Sequence, residues 1–135
     1  MVTIHLQALT LFLVMSRLSP DLRERSKAFA SGIVRLFDSL SRERDVIRIL
    51  ARQLVRSGTS VAAHAREASR ARSGDEFCSK LDVLLQEADE SQLWLELLRD
   101  DCGVESKRIL VLHQEADELI AIFTTMVAKL RRRSG

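Results

Sequence analysis

The sequence predicts an all-α protein, an antiparallel up-down-up-down four-helix bundle, and three observations carry that prediction. The composition is helical: one proline, five glycines and no tyrosine in 135 residues, with leucine, alanine, arginine and glutamate dominant. Apolar residues recur at alternating steps of three and four along four separate tracks, the spacing that gathers side chains on one face of a helix. The polar stretches between tracks are short, so consecutive helices turn back on one another as antiparallel neighbours.

One domain suffices for this length, and its core needs neither disulfide nor metal. Residues 1–19 read as an N-terminal extension and 20–133 as the bundle domain. Within the extension, "IHLQALTLFLVM" at 4–15 is strongly apolar. It is too short for a membrane span, no Lys or Arg precedes it and no clear small-residue cleavage site follows, so it is expected to be neither anchor nor secretion signal. Two readings of it stay open, a start placed too far upstream with Met15 the true beginning, or an extra helix.

The first helix carries Leu22, Ser26, Phe29, Ile33, Leu36 and Leu40, and ends before the polar "DSLSRERD" stretch. The second carries Ile47, Leu50, Leu54, Ser57, Val61, His64 and Ala68, and its register runs through "RSGTSVAAHAREA", residues 56–68, which holds almost nothing large to bury. The unbroken period predicts that the helix continues. Its small residues then admit a close neighbour, with bulk supplied by Leu84, Leu95 or Phe123 opposite. Gly58 costs about 1 kcal/mol relative to alanine in a helix interior, which points to a backbone contact or a slight kink; the bland alternative is a local weak point with no packing role.

The third helix carries Phe77, Leu81, Leu84, Ala88, Ser91, Leu95, Leu98 and Cys102, opened by the Ser73 and Glu76 capping box and stopped by Gly103. The fourth carries Ile109, Leu112, Ala116, Leu119, Phe123, Met126 and Leu130, with Lys129 and Arg131 to Arg133 where cations favour a helix C-terminus. Flanking apolar residues, among them Val34, Phe37, Trp94, Leu110 and Val127, widen each stripe, so that some complete the core and others are available to another subunit. Trp94 reads as core or interface packing.

Two ordered motifs carry a resemblance. Gln53, Leu54, Arg56, Ser57, Ser60, Val61 and Glu67 match a pattern on the second helix, and Phe77, Lys80, Leu81, Glu87, Ala88, Glu90, Trp94 and Leu95 match one on the third. On these the chain, over about residues 21–130, resembles the four-helix bundle family named after the 23S ribosomal RNA intervening sequence protein. His64 stands where that family commonly has Asn, and Ala62 where it has Gly. The resemblance implies a small cytosolic bundle assembling into a five-membered ring. It also points to nucleic acid, a reverse transcriptase or a ribosomal RNA-associated factor as partners, since a related branch serves diversity-generating retroelements.

Charge is unevenly spread. Arg44, Arg48, Arg52 and Arg56 recur every four residues and form one stripe. Residues 42–72 hold eight arginines against Glu43, Asp45 and Glu67, a net of +5, while 75–101 hold nine acids against Lys80 and Arg99, a net of −7, although the whole chain is only +2. Three readings compete: a solvated face with pairing between the second and third helices, a head-to-tail contact between copies, and phosphate binding by the stripe, with "KLRRR" adding to it. No aromatic interleaves with the arginines, so any RNA or DNA binding is expected to be nonspecific and salt sensitive.

His64, Glu67, Glu87 and Glu90 are read as a polar core network that fixes register. The metal reading fails on pattern: a di-iron bundle needs Glu-x-x-His on two helices, and this chain has one reversed His-x-x-Glu. Cys78 and Cys102 lie about 36 Å apart along one helix, beyond disulfide reach, and read as small core residues in a reducing compartment. No nucleophile set and no phosphate loop appears. The expectation is therefore a non-enzymatic cytoplasmic scaffold, homo-oligomeric and by resemblance pentameric, with no cofactor, no metal and no membrane partner. The alternative is a carboxylate-lined bundle that holds a metal or small ligand.

Overall fold

The computed structural model describes residues 18–134. Four helices account for most of them: α1 (Pro20–Ser39), α2 (Asp45–Ser69), α3 (Gly74–Asp100) and α4 (Lys107–Ser134). The expected extension falls mostly outside the described residues, including both readings of residues 4–15. Its last two positions, Leu18 and Ser19, are described. Leu18 is 4% exposed and joins the core, while the Ser19 hydroxyl accepts from the Leu22 N–H at 3.2 Å and caps α1, with Pro20 beginning the helix where its missing N–H costs nothing.

The other ends follow from local chemistry. Ser73 Oγ accepts from the Glu76 N–H at 3.0 Å, and Glu76 reaches back to the Arg72 N–H at 3.0 Å, a capping box whose return arm lands one residue earlier than usual. After α3, Gly103 takes φ +67, and the Val104 N–H then satisfies the Leu98 carbonyl at 2.9 Å. Ser106 Oγ accepts from the Arg108 N–H at the start of α4.

Helix directions follow from the order of cross-helix pairs. Along α2, Arg44, Arg56 and Glu67 meet Cys102, then Glu87 and Glu90, then Lys80. Numbers rise on one side and fall on the other, so α2 and α3 are antiparallel. Asp82 with Arg131, Gln92 with Asp117 and Glu96 with His113 say the same of α3 and α4. Arg25 with Glu115, and Arg108 against the Arg35 carbonyl, say it of α1 and α4. Three antiparallel seams oblige α1 and α2 to be antiparallel too. Each helix packs on its two neighbours around the bundle.

The core contains Phe29, Phe77 and Phe123 with Ile33, Leu36, Leu54, Leu81, Leu84, Leu95, Leu98, Ile109 and Leu119, all under 2% exposed. Burying a side chain of this kind stabilises by about 1.5–3 kcal/mol. The track on α3 is buried throughout, and that on α1 is buried between Ser26 and Leu36, with Leu22 and Leu40 half-buried at its two ends. On α2 the inner face is rotated slightly: Ala51 and Ala65 are buried where Leu50 and His64 were expected, and both latter residues are half-buried. On α4, Val127 replaces Met126 in the same way.

That rotation explains the small residues of α2, which runs unbroken through Gly58. A Cβ added to Gly58 would lie 2.8 Å from Ile33 Cγ1 and 3.0 Å from its Cγ2, so the glycine is there to admit α1. Ile33 supplies the bulk at Gly58. One residue earlier, Ser57 and Ser91 share a hydrogen bond of 2.7 Å with both residues fully buried, and Ser91 also donates to the Glu87 carbonyl at 2.8 Å. Both hydroxyls are thereby satisfied where α2 and α3 approach closely.

Candidate nucleic-acid interface

The arginine stripe of α2 divides once its partners are traced. Arg44 folds back and donates to the Cys102 carbonyl at 2.7 Å, a structural contact at the end of α3 where carbonyls lack helical partners. Arg56 spans the α2–α3 seam, reaching Glu90 at 2.6 Å and Glu87 at 3.2 Å; the Glu90 hydrogen bond chiefly raises its pKa. Arg48 is exposed and pairs with Asp45 on its own helix. Arg52 is exposed and makes no ion pair or hydrogen bond among the described residues. Two of the four are thus held against α3, and two remain presented to solvent.

The four residues read as a polar core network lie at the α2–α3 seam and are unequally buried: the side chains of Glu67 and Glu90 are 46% and 47% exposed, those of His64 and Glu87 23% and 16%. His64 Nδ1 lies 2.8 Å from Glu67, and Lys80 lies 3.4 Å from the same carboxylate. The His64 hydrogen bond is the main reason that Glu67 is held below the usual glutamate pKa. These four residues make two ion-pair clusters, separated along the seam, and no common centre. Among the described residues the buried polar side chains are Ser26, Ser57 and Ser91, and no group of three or more His, Cys, Asp or Glu gathers as metal ligands. Cys78 and Cys102 are free and buried, and burial pushes the Cys78 thiol up.

Sequence reasoning missed what α1 contributes beside the stripe. At the α1–α2 corner, Phe37, Leu40 and Ser41 join Arg42, Ile47, Arg48, Ala51 and Arg52 around a cavity of about 150 Å³. The Arg42 guanidinium lies over the Phe37 ring at 5.9 Å from its centroid. An aromatic therefore does accompany the arginines, supplied by the preceding helix. Spacing within α2 cannot reveal it; only the turn that returns the chain brings residue 37 beside residue 48. At the other end of the same helix pair, Arg23, Lys27, Arg66 and Arg70 line a second concavity with Glu24. From Arg48 to Arg70 is about 33 Å along α2. The α1–α2 side thus carries a cation-lined concavity at each end.

Exposed large apolar side chains are also unevenly placed. Val34, Val46, Ile49, Leu93, Leu110 and Val111 lie in the half of the bundle that holds the α1–α2 and α3–α4 connections, and Val83 lies in the other half. No helix among the described residues is long and apolar enough to cross a membrane.

Comparison with known proteins bears on the whole domain. A family model described as 23S rRNA-intervening sequence protein matches residues 21–125. Among solved structures, the crystal structure of a protein with unknown function from the S23 ribosomal protein family of Bacteroides thetaiotaomicron VPI-5482 is 31% identical. The match covers 78% of this chain and 97% of that one, with a TM-score of 0.71. A comparison with curated proteins returned no match.

Proposed function

Because this chain belongs to the 23S rRNA-intervening sequence protein family, we propose that it is a non-enzymatic helical scaffold that assembles with copies of itself, as a ring of five, and binds nucleic acid along the α1–α2 side. The observation that carries the nucleic-acid half is the pair of cationic concavities at the two ends of α1 and α2. Arg48 and Arg52 near one end, and Arg23, Lys27, Arg66 and Arg70 near the other, leave Glu24 as the sole carboxylate lining either concavity. Phosphates meeting such a surface release counterions, which gives affinity without sequence readout. Self-association is supported by the exposed apolar side chains at one end of the bundle, where burial between copies removes them from water. The ring number rests on the family.

Two measurements test this. Labelled single-stranded RNA should bind at low salt, with log K falling linearly against log salt, and a triple Arg52→Gln, Arg66→Gln, Arg70→Gln variant should lose most of that binding while keeping its helicity. Light scattering should report five times the 15.3 kDa chain mass. Retention of RNA unchanged by the triple variant defeats the α1–α2 surface, and a strict monomer at tens of micromolar defeats the assembly.

A further inference from the structure

Resting on that reading of the α1–α2 side, we infer that the corner cavity between α1 and α2 takes a single pyrimidine base, so that the ligand is single-stranded nucleic acid with one base turned in and its flanking phosphates on Arg48 and Arg52. The cavity has an apolar floor, Ile47 and Ala51 buried with Phe37 and Leu40 half-buried, and a rim of Arg42, Arg48 and Arg52 with no carboxylate among its lining residues. A purely apolar occupant would leave the guanidinium groups of Arg42 and Arg52 without a charged partner, Arg48 being paired with Asp45, and a bare anion would leave the floor wet. The occupant that answers both carries a flat apolar ring and a negative charge on each side of it.

Size selects among such rings. A cavity of about 150 Å³ holds one benzene-sized ring, which suits a pyrimidine and leaves part of a purine outside. Phe37 offers a ring face to stack upon. Arg42 sits at 5.9 Å from its centroid, near the outer limit of about 6 Å for a cation–π contact, so an exposed side chain has only to swing aside and lay its own plane over the base. Ser41 lies in the same wall; its Oγ accepts from the Glu43 N–H at 3.3 Å, which leaves the hydroxyl hydrogen to donate to the 2-carbonyl common to pyrimidines. A base inside a duplex cannot reach this floor without leaving its stack, so single strands are selected. The second cationic cluster, about 33 Å along α2, gives the strand's other end a place to lie.

The test is anisotropy of labelled oligo-U, oligo-A and a duplex RNA of equal length with the full chain at low salt. Oligo-U should bind at least about fivefold more tightly than oligo-A, the lower end of base-stacking energies, and both should exceed the duplex. Phe37→Leu keeps apolar volume but removes the ring face. It should erase the U-over-A difference and leave the salt slope unchanged. Arg52→Gln, on an exposed side chain that folding does not need, should reduce the slope by about 0.7, one phosphate contact on a single strand.

Equal binding of oligo-U and oligo-A, or a Phe37→Leu variant that keeps the difference, overturns the pocket while leaving the proposed nucleic-acid role intact. No binding of any of the three overturns both. A labelled peptide with one Leu between glutamates, bound through Arg52 and not displaced by oligo-U, reassigns the cavity to an acidic protein partner.

Discussion

Alanine at Gly58 tests the packing argument most directly, because two effects of known sign oppose each other there. Removing a glycine from a helix interior gains about 1 kcal/mol in propensity. The new methyl, however, would stand 2.8, 3.0 and 3.2 Å from Ile33 Cγ1, Cγ2 and Cβ, against about 3.5–4.0 Å for a comfortable carbon contact. Ile33 is fully buried and β-branched, and one of the contacted atoms is its own Cβ. No rotamer change moves a Cβ, so α1 itself must shift. Overpacking of this kind costs about 1–3 kcal/mol; with three close atoms the upper half of that range applies, and the net loss is about 1–2 kcal/mol.

Gly32→Ala is the matched control. Its methyl meets Leu112 Cδ2 at 2.7 Å, but the next Leu112 atom is 3.7 Å away, so the contact is with the end of a flexible side chain that can turn. The expected change lies between neutrality and a gain of about 1 kcal/mol. Urea unfolding followed by circular dichroism, at one fixed protein concentration, reads both as shifts in midpoint at constant slope. A double-mutant cycle with Ile33→Ala sharpens the test: the cavity left by Ile33 receives the new methyl, so the pair should be less destabilised than the sum by about 1 kcal/mol or more. If Gly58→Ala stabilises by the whole propensity difference and adds to Ile33→Ala without coupling, the close approach of α1 and α2 is not what keeps glycine at this position.

Other outcomes follow from the seams. Ser57→Ala removes the donor that Ser91 Oγ accepts, and should cost about 1 kcal/mol in the same urea assay, with Ser91→Ala adding less than its own single loss because the shared bond is already gone. Glu67 is held below the usual glutamate pKa, so the folded state binds its proton more weakly than the unfolded one; its contribution is present above about pH 4.3 and is lost as pH falls through the lower folded value. Glu67→Gln should therefore flatten the fall in stability below about pH 4.3, measured as urea midpoint against pH. Arg56→Gln should change stability by no more than about 1 kcal/mol, since its guanidinium is half exposed, and should leave RNA affinity close to that of the parent chain, in contrast to Arg52→Gln.

How far the sequence could be read varies with the range of the interaction involved. Helix ends were legible because they are local: Ser73 with Glu76 caps α3, and Gly103 supplies the positive φ that ends it. Inner faces were legible where large residues mark them, as at Phe77, Leu81, Leu84, Leu95 and Leu98. They were misread by one position on α2, where the track favoured Leu50 and His64 over Ala51 and Ala65. Residue size misleads there because a track drawn through the largest side chains passes over Ala51 and Ala65, which are buried although they are small. The arginine stripe was visible as a period of four, yet what each arginine does depends on residues 31 to 58 positions away: Glu87 and Glu90 for Arg56, the Cys102 carbonyl for Arg44. Phe37 joins Arg48 and Arg52 only through the turn at 40–44.

The two halves of the proposed function place different demands on charge, and salt separates them. Were copies joined by the acidic surface of α3 in one chain and the basic α1–α2 side of the next, RNA would compete for that side and binding would take the assembly apart. The exposed apolar side chains offer a contact that avoids this conflict. Arg108 donates to the Arg35 carbonyl at 3.2 Å, which sets the start of α4 beside the last turns of α1 and so brings Leu110 and Val111 to the same end as Val34. Burying such side chains between copies is insensitive to ionic strength, whereas phosphate contacts weaken steeply as salt rises. Raising salt from about 50 to about 200 mM should then release oligo-U and leave the scattering mass unchanged. Leu110→Glu with Val111→Glu should lower the mass toward the 15.3 kDa chain. A mass that falls with salt, or on adding oligo-U, would assign the contact between copies to the charged faces instead.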